Sequence, residues 1–142
     1  MLTHNLLEIV DIHAAAPCRN PIPDKTAVTL SEAQRAAADT MTGYVRDGGY
    51  HAALLDGVTG AGKTEVYFEA VAAALEQDKQ VLILLPEIAL SNAFLDRVRR
   101  RFGCKPALLH SGLSTGPRKT TWRGVVTGHT RVVVVARSAL FL

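Results

Sequence analysis

Residues 57–64 read Gly-Val-Thr-Gly-Ala-Gly-Lys-Thr, placing Gly57, Gly62, Lys63 and Thr64 at the fixed positions of a G-x-x-x-x-G-K-[S/T] pattern. Each position has separate work to do on a nucleotide triphosphate. Gly57, Gly60 and Gly62 let the backbone curl, so that N–H groups along Gly57, Val58, Thr59, Gly60, Ala61 and Gly62 can turn toward phosphate oxygens. Lys63 sets an ammonium against the β- and γ-phosphates, and the Thr64 hydroxyl is a ligand for Mg²⁺. Lys63 and Thr64 are therefore the candidate catalytic residues, Thr64 the candidate metal ligand through the nucleotide, and 57–64 the candidate cofactor loop.

Such a loop needs a strand before it and a helix after it. Ala52-Ala53-Leu54-Leu55 is an apolar run expected to form a buried strand, and Glu65 to Gln77 is rich in Ala, Glu, Val and Leu without a breaker. Phosphates would then sit at a helix N-terminus. Upstream, Ser31-Glu32-Ala33-Gln34 is a capping box opening a helix that Gly48-Gly49 ends. Downstream, Val81–Leu85 reads as a strand covered on both faces, and Ser91 to Phe102 as a helix with Phe94, Val98 and Phe102 on one face. Ala107–Leu109 is a third strand. Pro117 lies in the first turn of a helix expected to carry Trp122, Val125 and Val126 toward the core, and Arg131–Ala136 is a β-branched fourth strand. Four strands separated by helices predict an α/β fold, a mostly parallel sheet with helices on both faces. Residues 1–29 are less regular. Met1 to Ile12 could hold a short strand or helix, and the proline-rich run from Ala16 to Asp24 reads as an extended linker.

Ligands of open parallel sheets bind beyond the carboxyl ends of the strands. The residues there are Glu87 to Ser91, then His110-Ser111-Gly112 on to Ser114, then Arg137-Ser138. Hydroxyls, Gly-opened backbone and an Arg at one edge could grip a sugar-phosphate strand. Ser91 and Ser114 could equally be helix caps, and His110 an ordinary strand-end histidine. Gln34 also carries two readings: the reciprocal partner of Ser31, or a side-chain amide that pairs with adenine's donor and acceptor together. Phosphoryl transfer further needs an acid at the end of another strand to hold Mg²⁺. No acid follows Asp96, and Pro86 stands where that Asp would be in the run ending at Glu87. The sequence is equipped for phosphate capture more than for hydrolysis.

The 142 residues carry a net charge of +3, with 48% hydrophobic and 20% charged residues, a folded-domain composition. Neither a membrane span nor a signal peptide is legible. Cys18 and Cys104 lack metal-ligand spacing and read as separate small side chains of a protein in a reducing cytoplasm. Charge is lopsided: Arg101, Lys105, Arg118, Lys119, Arg123, Arg131 and Arg137 follow the last acid, and Arg97, Arg99 and Arg100 extend the run upstream. That field suits a phosphate backbone. A metabolite kinase, or a nucleotide-gated DNA-binding module without catalysis, are the alternatives these residues leave open.

Four segments together narrow the choice. Asp56 through Tyr67, Leu85 through Leu90, Leu109 through Ser114, and Gly128 through Leu142 resemble, in order and spacing, the PriA-type replication-restart DNA helicases of superfamily 2, also called primosomal protein N′. The likeness covers residue 30 to the end, with Ala61 and Ala136 where Ser and Thr are frequent. It implies a RecA-like lobe of an ATP- and Mg²⁺-dependent enzyme that unwinds DNA 3′ to 5′ in primosome assembly and replication restart. By position, Gln34 would contact adenine, residues 57–64 the phosphates, and Glu87, Ser91, His110, Ser111, Gly112, Arg137 and Ser138 single-stranded DNA. The implied partners are single-stranded and forked DNA, primosome proteins and single-strand binding protein, in a nucleoid-associated cytoplasmic setting. The resemblance also implies an acidic Mg²⁺ motif, a zinc-binding cysteine cluster and a second lobe beyond Leu142, and DNA-binding domains before residue 1. The expectation is thus a fragment: a linker over 1–29 and a partial lobe over 30–142, inactive in hydrolysis by itself.

Overall fold

Val132–Ala136 is five consecutive apolar residues, all of them buried, and forms the central strand of the sheet, β3. In the computed structural model, which describes residues 18–23 and 28–138, β1 (Val81–Leu85) and β2 (Ala107–Leu109) flank β3 on either side, both parallel to it. Alternate side chains of β3 serve opposite faces. Val132 and Val134 join Ile83, Phe68, Val98 and Phe102 in one core cluster, whereas Val133 and Val135 join Ala107 and Leu109 in another. Helices α2 (Lys63–Glu76) and α3 (Asn92–Phe102) cover the first face, and Val125 of α4 (Thr115–Val126) packs on the second. The α/β design with helices on both faces is as expected.

Local signals place the helix ends. Helix α1 (Glu32–Asp47) starts at the capping box: the Ser31 Oγ accepts the Gln34 N–H at 3.4 Å, and Gln34 Oε1 accepts the Ser31 N–H at 2.9 Å. It packs along α2. Ser91 caps α3, accepting the Phe94 N–H at 3.3 Å, and Gly103, with φ of 68°, closes it with an N–H bond to the Arg99 carbonyl. Ser114 stands at the α4 N-cap position without a side-chain capping bond.

Three expectations need correcting. Ala52–Leu55 is not a strand, so the sheet has three strands among the described residues, and Leu54 is 94% exposed. A strand must exchange backbone bonds with a neighbour, and none of the described residues offers one to this run. The outer edge of β1 likewise has no partner there, and Leu82 and Leu84 stay half exposed. Second, Trp122 and Val126 do not enter the core; they are 46% and 81% exposed. Helix α4 turns Thr121 and Gly124 inward, both buried, with Val125 half-buried beside them. At about 100° per residue, Trp122 and Val126 fall on the flank of that stripe. Third, Cys18 and Cys104 are not separate: they form a disulfide across 86 residues of sequence, with Cα atoms 4.9 Å apart. The pairing depends on tertiary packing, because segment 18–23 lies against the α3 end. Ile22 N–H bonds the Phe102 carbonyl at 2.8 Å, and Arg131 N–H bonds the Cys18 carbonyl at 3.1 Å. The strand or helix expected within 1–12 falls outside the described residues. No helix among the described residues is long and apolar enough to cross a membrane.

Candidate nucleotide and DNA site

The phosphate loop leads directly into α2. Asp56 holds its entry by accepting the Gly57 N–H at 2.7 Å. Gly60 and Gly62 take φ of 84° and 75°, backbone that a side chain disfavours, and Gly62 turns the chain into the first helical residue, Lys63. A Cβ on Gly62 would also lie 2.5 Å from Gln34 Nε2. Among the described residues, the N–H groups of Gly60, Gly62, Lys63 and Thr64 donate to no other group. Orphan donors at a helix N-terminus, with the helix dipole behind them, fit an anion. Lys63 Nζ lies over the loop, bonded to the carbonyls of Gly57 and, at 3.0 Å, Val58. The donor set therefore fits a nucleotide phosphate, and the Thr64 hydroxyl fits a metal ion carried with it. No group of three His, Cys, Asp or Glu among the described residues could hold a metal by itself.

Gln34 takes its capping-box role and adds a contact to the phosphate loop. Its Oε1 completes the capping box, and its Nε2 donates to the Ala61 carbonyl at 2.8 Å, so α1 is pinned to the phosphate loop through one amide. With both ends of the amide engaged, adenine contact would require exchanging one of these bonds.

The parallel register sets Leu85 beside Ala136 and Leu109 beside Val135, so the segments after all three strands emerge at one edge. Glu87, in a single 3₁₀ turn (Glu87–Ala89), accepts the Ser138 N–H at 3.1 Å and ties the β1 and β3 exits together. The Ser138 side chain, then backbone N–H groups, hold the exposed Glu87 carboxyl below its ordinary value of 4.5, with Arg137 adding to the effect. His110 lies over Gly112, where a Cβ would be 3.2 Å from the imidazole Nδ1. The His110 carbonyl accepts the Leu113 N–H at 3.1 Å. Glu87, His110, Ser111, Gly112, Arg137 and Ser138 are thus brought to one edge, while Ser91 turns its hydroxyl to capping α3. A depressed carboxyl pKa means the Glu87–Ser138 tether is complete above pH 4.5 and is lost as pH falls through the lowered value. The Ser138 amide resonance should titrate with a midpoint below 4.5 and lose that step in Glu87→Gln; a midpoint at or above 4.5 rejects the tether.

Sequence reading missed the charged ladder beside the loop. Arg97 of α3 places Nε and Nη2 at 2.9 and 2.7 Å from Glu65 Oε1, and Arg101 and Arg35 reach Glu69 at 3.1 and 3.4 Å. Arg131 pairs with Asp78. Much of the basic run is therefore matched by acids from earlier elements, whereas Lys105, Lys119 and Arg123 have no acidic partner among the described residues. A four-residue spacing on both α2 and α3 was the available signal, but nothing local says that the two faces meet.

Residues 31–142 match the DEAD/DEAH box helicase family. The chain belongs to that family. Within it, the chain is similar to the replication restart protein PriA of Synechocystis sp., 46% identical over 115 residues, which is 81% of this chain and 14% of that protein. It is also similar to the replication restart protein PriA of Bacillus subtilis, 38% identical over 128 residues, 87% of this chain and 16% of that protein. The same protein of Treponema pallidum is 44% identical over 112 residues. The chain spans about one-seventh of the length of the relatives it matches. The family match does not favour the metabolite kinase among the alternatives.

Proposed function

We propose that this chain is the nucleotide-capturing part of an ATP-dependent DNA helicase that translocates 3′ to 5′ on single-stranded DNA during primosome assembly and replication restart. Residues 1–29 form a linker or the tail of a preceding domain, and 30–142 part of a RecA-like lobe. The observation that carries the reading is the loop at 57–64, where free N–H donors, Lys63 and Thr64 converge at one helix start in a chain of helicase-family sequence. Bound Mg²⁺ would neutralise charge on the phosphates. Lys63 and the loop amides would hold and orient them, Thr64 would ligate the metal, and Gln34 would face the adenine. Glu87, Ser91, His110, Ser111, Gly112, Arg137 and Ser138 would form the DNA-facing edge. Single-stranded and forked DNA, other primosome proteins and single-strand binding protein are the proposed partners, in a cytoplasmic, nucleoid-associated setting; zinc belongs to the proposed longer protein.

Oligonucleotide binding tests the DNA half of this reading. Titrating single-stranded DNA into the chain at several salt concentrations should give an affinity that falls with salt. Neutralising Arg118, Lys119 and Arg123 together should flatten the slope by about 2, at roughly 0.7 per phosphate contact on single strands. A salt-independent affinity, or a slope unchanged in the triple variant, would remove α4 from the DNA interface.

A further inference from the structure

Strand β1 has one side in the sheet and one side open. Val81 N–H bonds the Arg131 carbonyl at 2.8 Å, so in the parallel ladder Val81, Ile83 and Leu85 turn their backbone groups to β3. The N–H and C=O groups of Leu82 and Leu84 therefore point outward, where no strand among the described residues meets them. Their side chains stand half exposed on the face of the sheet opposite Ile83. On the Ile83 side, an apolar groove of about 520 Å³ runs along the same edge, walled by Met41 and Val45 of α1 and by Tyr67, Val71 and Ala74 of α2. Sheet edges are commonly blunted by charges or prolines, and Val81–Leu85 carries neither. An edge strand with apolar surface on both faces is built to accept another strand.

We propose that this edge docks β1 of a second copy of the chain, the two strands running antiparallel about a two-fold axis at Ile83. In that register Leu82 faces Leu84 of the other copy and Leu84 faces its Leu82, a hydrogen-bonded pairing that uses every outward backbone group of both residues. The added strand lays its Val81, Ile83 and Leu85 on the groove and its Leu82 and Leu84 beside the exposed leucines. Charge selects the same arrangement. Continued past the strand ends, the register sets Lys79 of each copy opposite Glu87 of the other. Lys79 Nζ is already at the groove wall, bonded to the Val45 carbonyl at 2.9 Å, and Glu87 stands exposed beyond the far end of β1. Sliding the strands one way sets Leu82 against Pro86, which has no N–H to give, and sliding them the other way parts Lys79 from Glu87. The edge is thus self-complementary, as a two-fold contact requires. It is independent of the nucleotide-site reading, since no residue of 57–64 takes part.

Sedimentation equilibrium of the 142-residue chain tests the contact, with hydrogen exchange of the Leu82 and Leu84 amides as the local readout. The wild type should be a dimer in which both amides gain protection as concentration rises. Leu84→Lys, at a half-exposed position whose backbone is not bonded to β3, should be monomeric with the circular dichroism of the wild type. Lys79→Glu should weaken the dimer roughly tenfold, because the attractive pair at each end becomes a repulsive one. Adding Glu87→Lys to Lys79→Glu should recover most of that loss. A wild-type chain that stays monomeric at every concentration overturns the proposal. So does a monomer with protected Leu82 and Leu84 amides, since a segment of the same chain then covers the edge. A dimer equally strong in Leu84→Lys places the contact elsewhere and overturns it too. The double charge reversal decides the matter even where Leu84→Lys lowers folding stability, because Lys79 and Glu87 are both exposed. Its failure to restore the dimer rejects the two-fold pairing at Ile83.

Discussion

Replacing Lys63 with Ala should lower the affinity of the chain for ATP and ADP roughly ten- to a hundredfold. A hydrogen bond to a charged group contributes about 1.5–3 kcal/mol, and each 1.4 kcal/mol is about a factor of ten in binding. Two features make Lys63 the dominant side chain of the loop. Its ammonium lies over the carbonyls of Gly57 and Val58, inside the curl that the glycines create. The backbone donors around it are neutral, so it brings the fixed positive charge among groups that otherwise offer dipoles. Those two carbonyls bond Lys63 without being part of the packed core; both Gly57 and Val58 are exposed. Folding stability of Lys63→Ala should therefore stay within about 0.5 kcal/mol of wild type. Calorimetric titration of nucleotide and a urea melt of the same variant measure the two expectations. An affinity within twofold of wild type would show that the loop does not hold phosphate. A large loss of stability would show that Lys63 is a structural clasp for the loop instead.

The helix ends and glycine turns around the candidate nucleotide site were legible because their signals are local. The loop pattern, the Ser31–Gln34 box, the Ser91 cap and the Gly103 stop each lie within a few residues of the structure they specify. Three valine-rich or leucine-rich runs also named their strands correctly. What failed depends on neighbours far along the chain. Ala52–Leu55 has strand-like hydrophobicity, yet a strand is a pairing, and pairing cannot be read from one run. Glu65 and Arg97 are 32 residues apart, and Cys18 and Cys104 are 86 apart, so neither contact has a local signature. Helix α4 failed for a subtler reason. Its inward stripe uses Thr121 and Gly124, small residues that let the helix approach the sheet, while its large apolar side chains stand on the flank. Hydrophobicity by itself points to the wrong face there.

That last point makes the sharpest stability prediction, because two aromatic residues both expected to face the core differ in burial. Phe102→Ala should destabilise the chain by about 3–5 kcal/mol, the usual range for emptying a buried aromatic site. Phe102 is fully buried and meets Phe68 edge-on at 5.2 Å, and its carbonyl takes the Ile22 N–H. It lies where α2, α3 and segment 18–23 converge, so no single element can move in to fill the space. Against a typical total of about 5–15 kcal/mol, such a loss brings the chain near its unfolding threshold. Trp122→Ala removes a larger side chain but one that is 46% exposed at the margin of an apolar hollow of about 180 Å³ between α4 and the sheet. It should cost less than half as much as Phe102→Ala, because much of its surface is already in water and no close-packed shell surrounds it. Urea unfolding followed by circular dichroism, which does not depend on the tryptophan, gives both values on one scale. If Trp122→Ala proved the more damaging, the helix face assigned to the core would be wrong, and the inward stripe of α4 would have to be rotated to carry Trp122 and Val126. If Phe102→Ala cost less than about 1 kcal/mol, the junction of α2, α3 and segment 18–23 would not be the close-packed centre of the lobe.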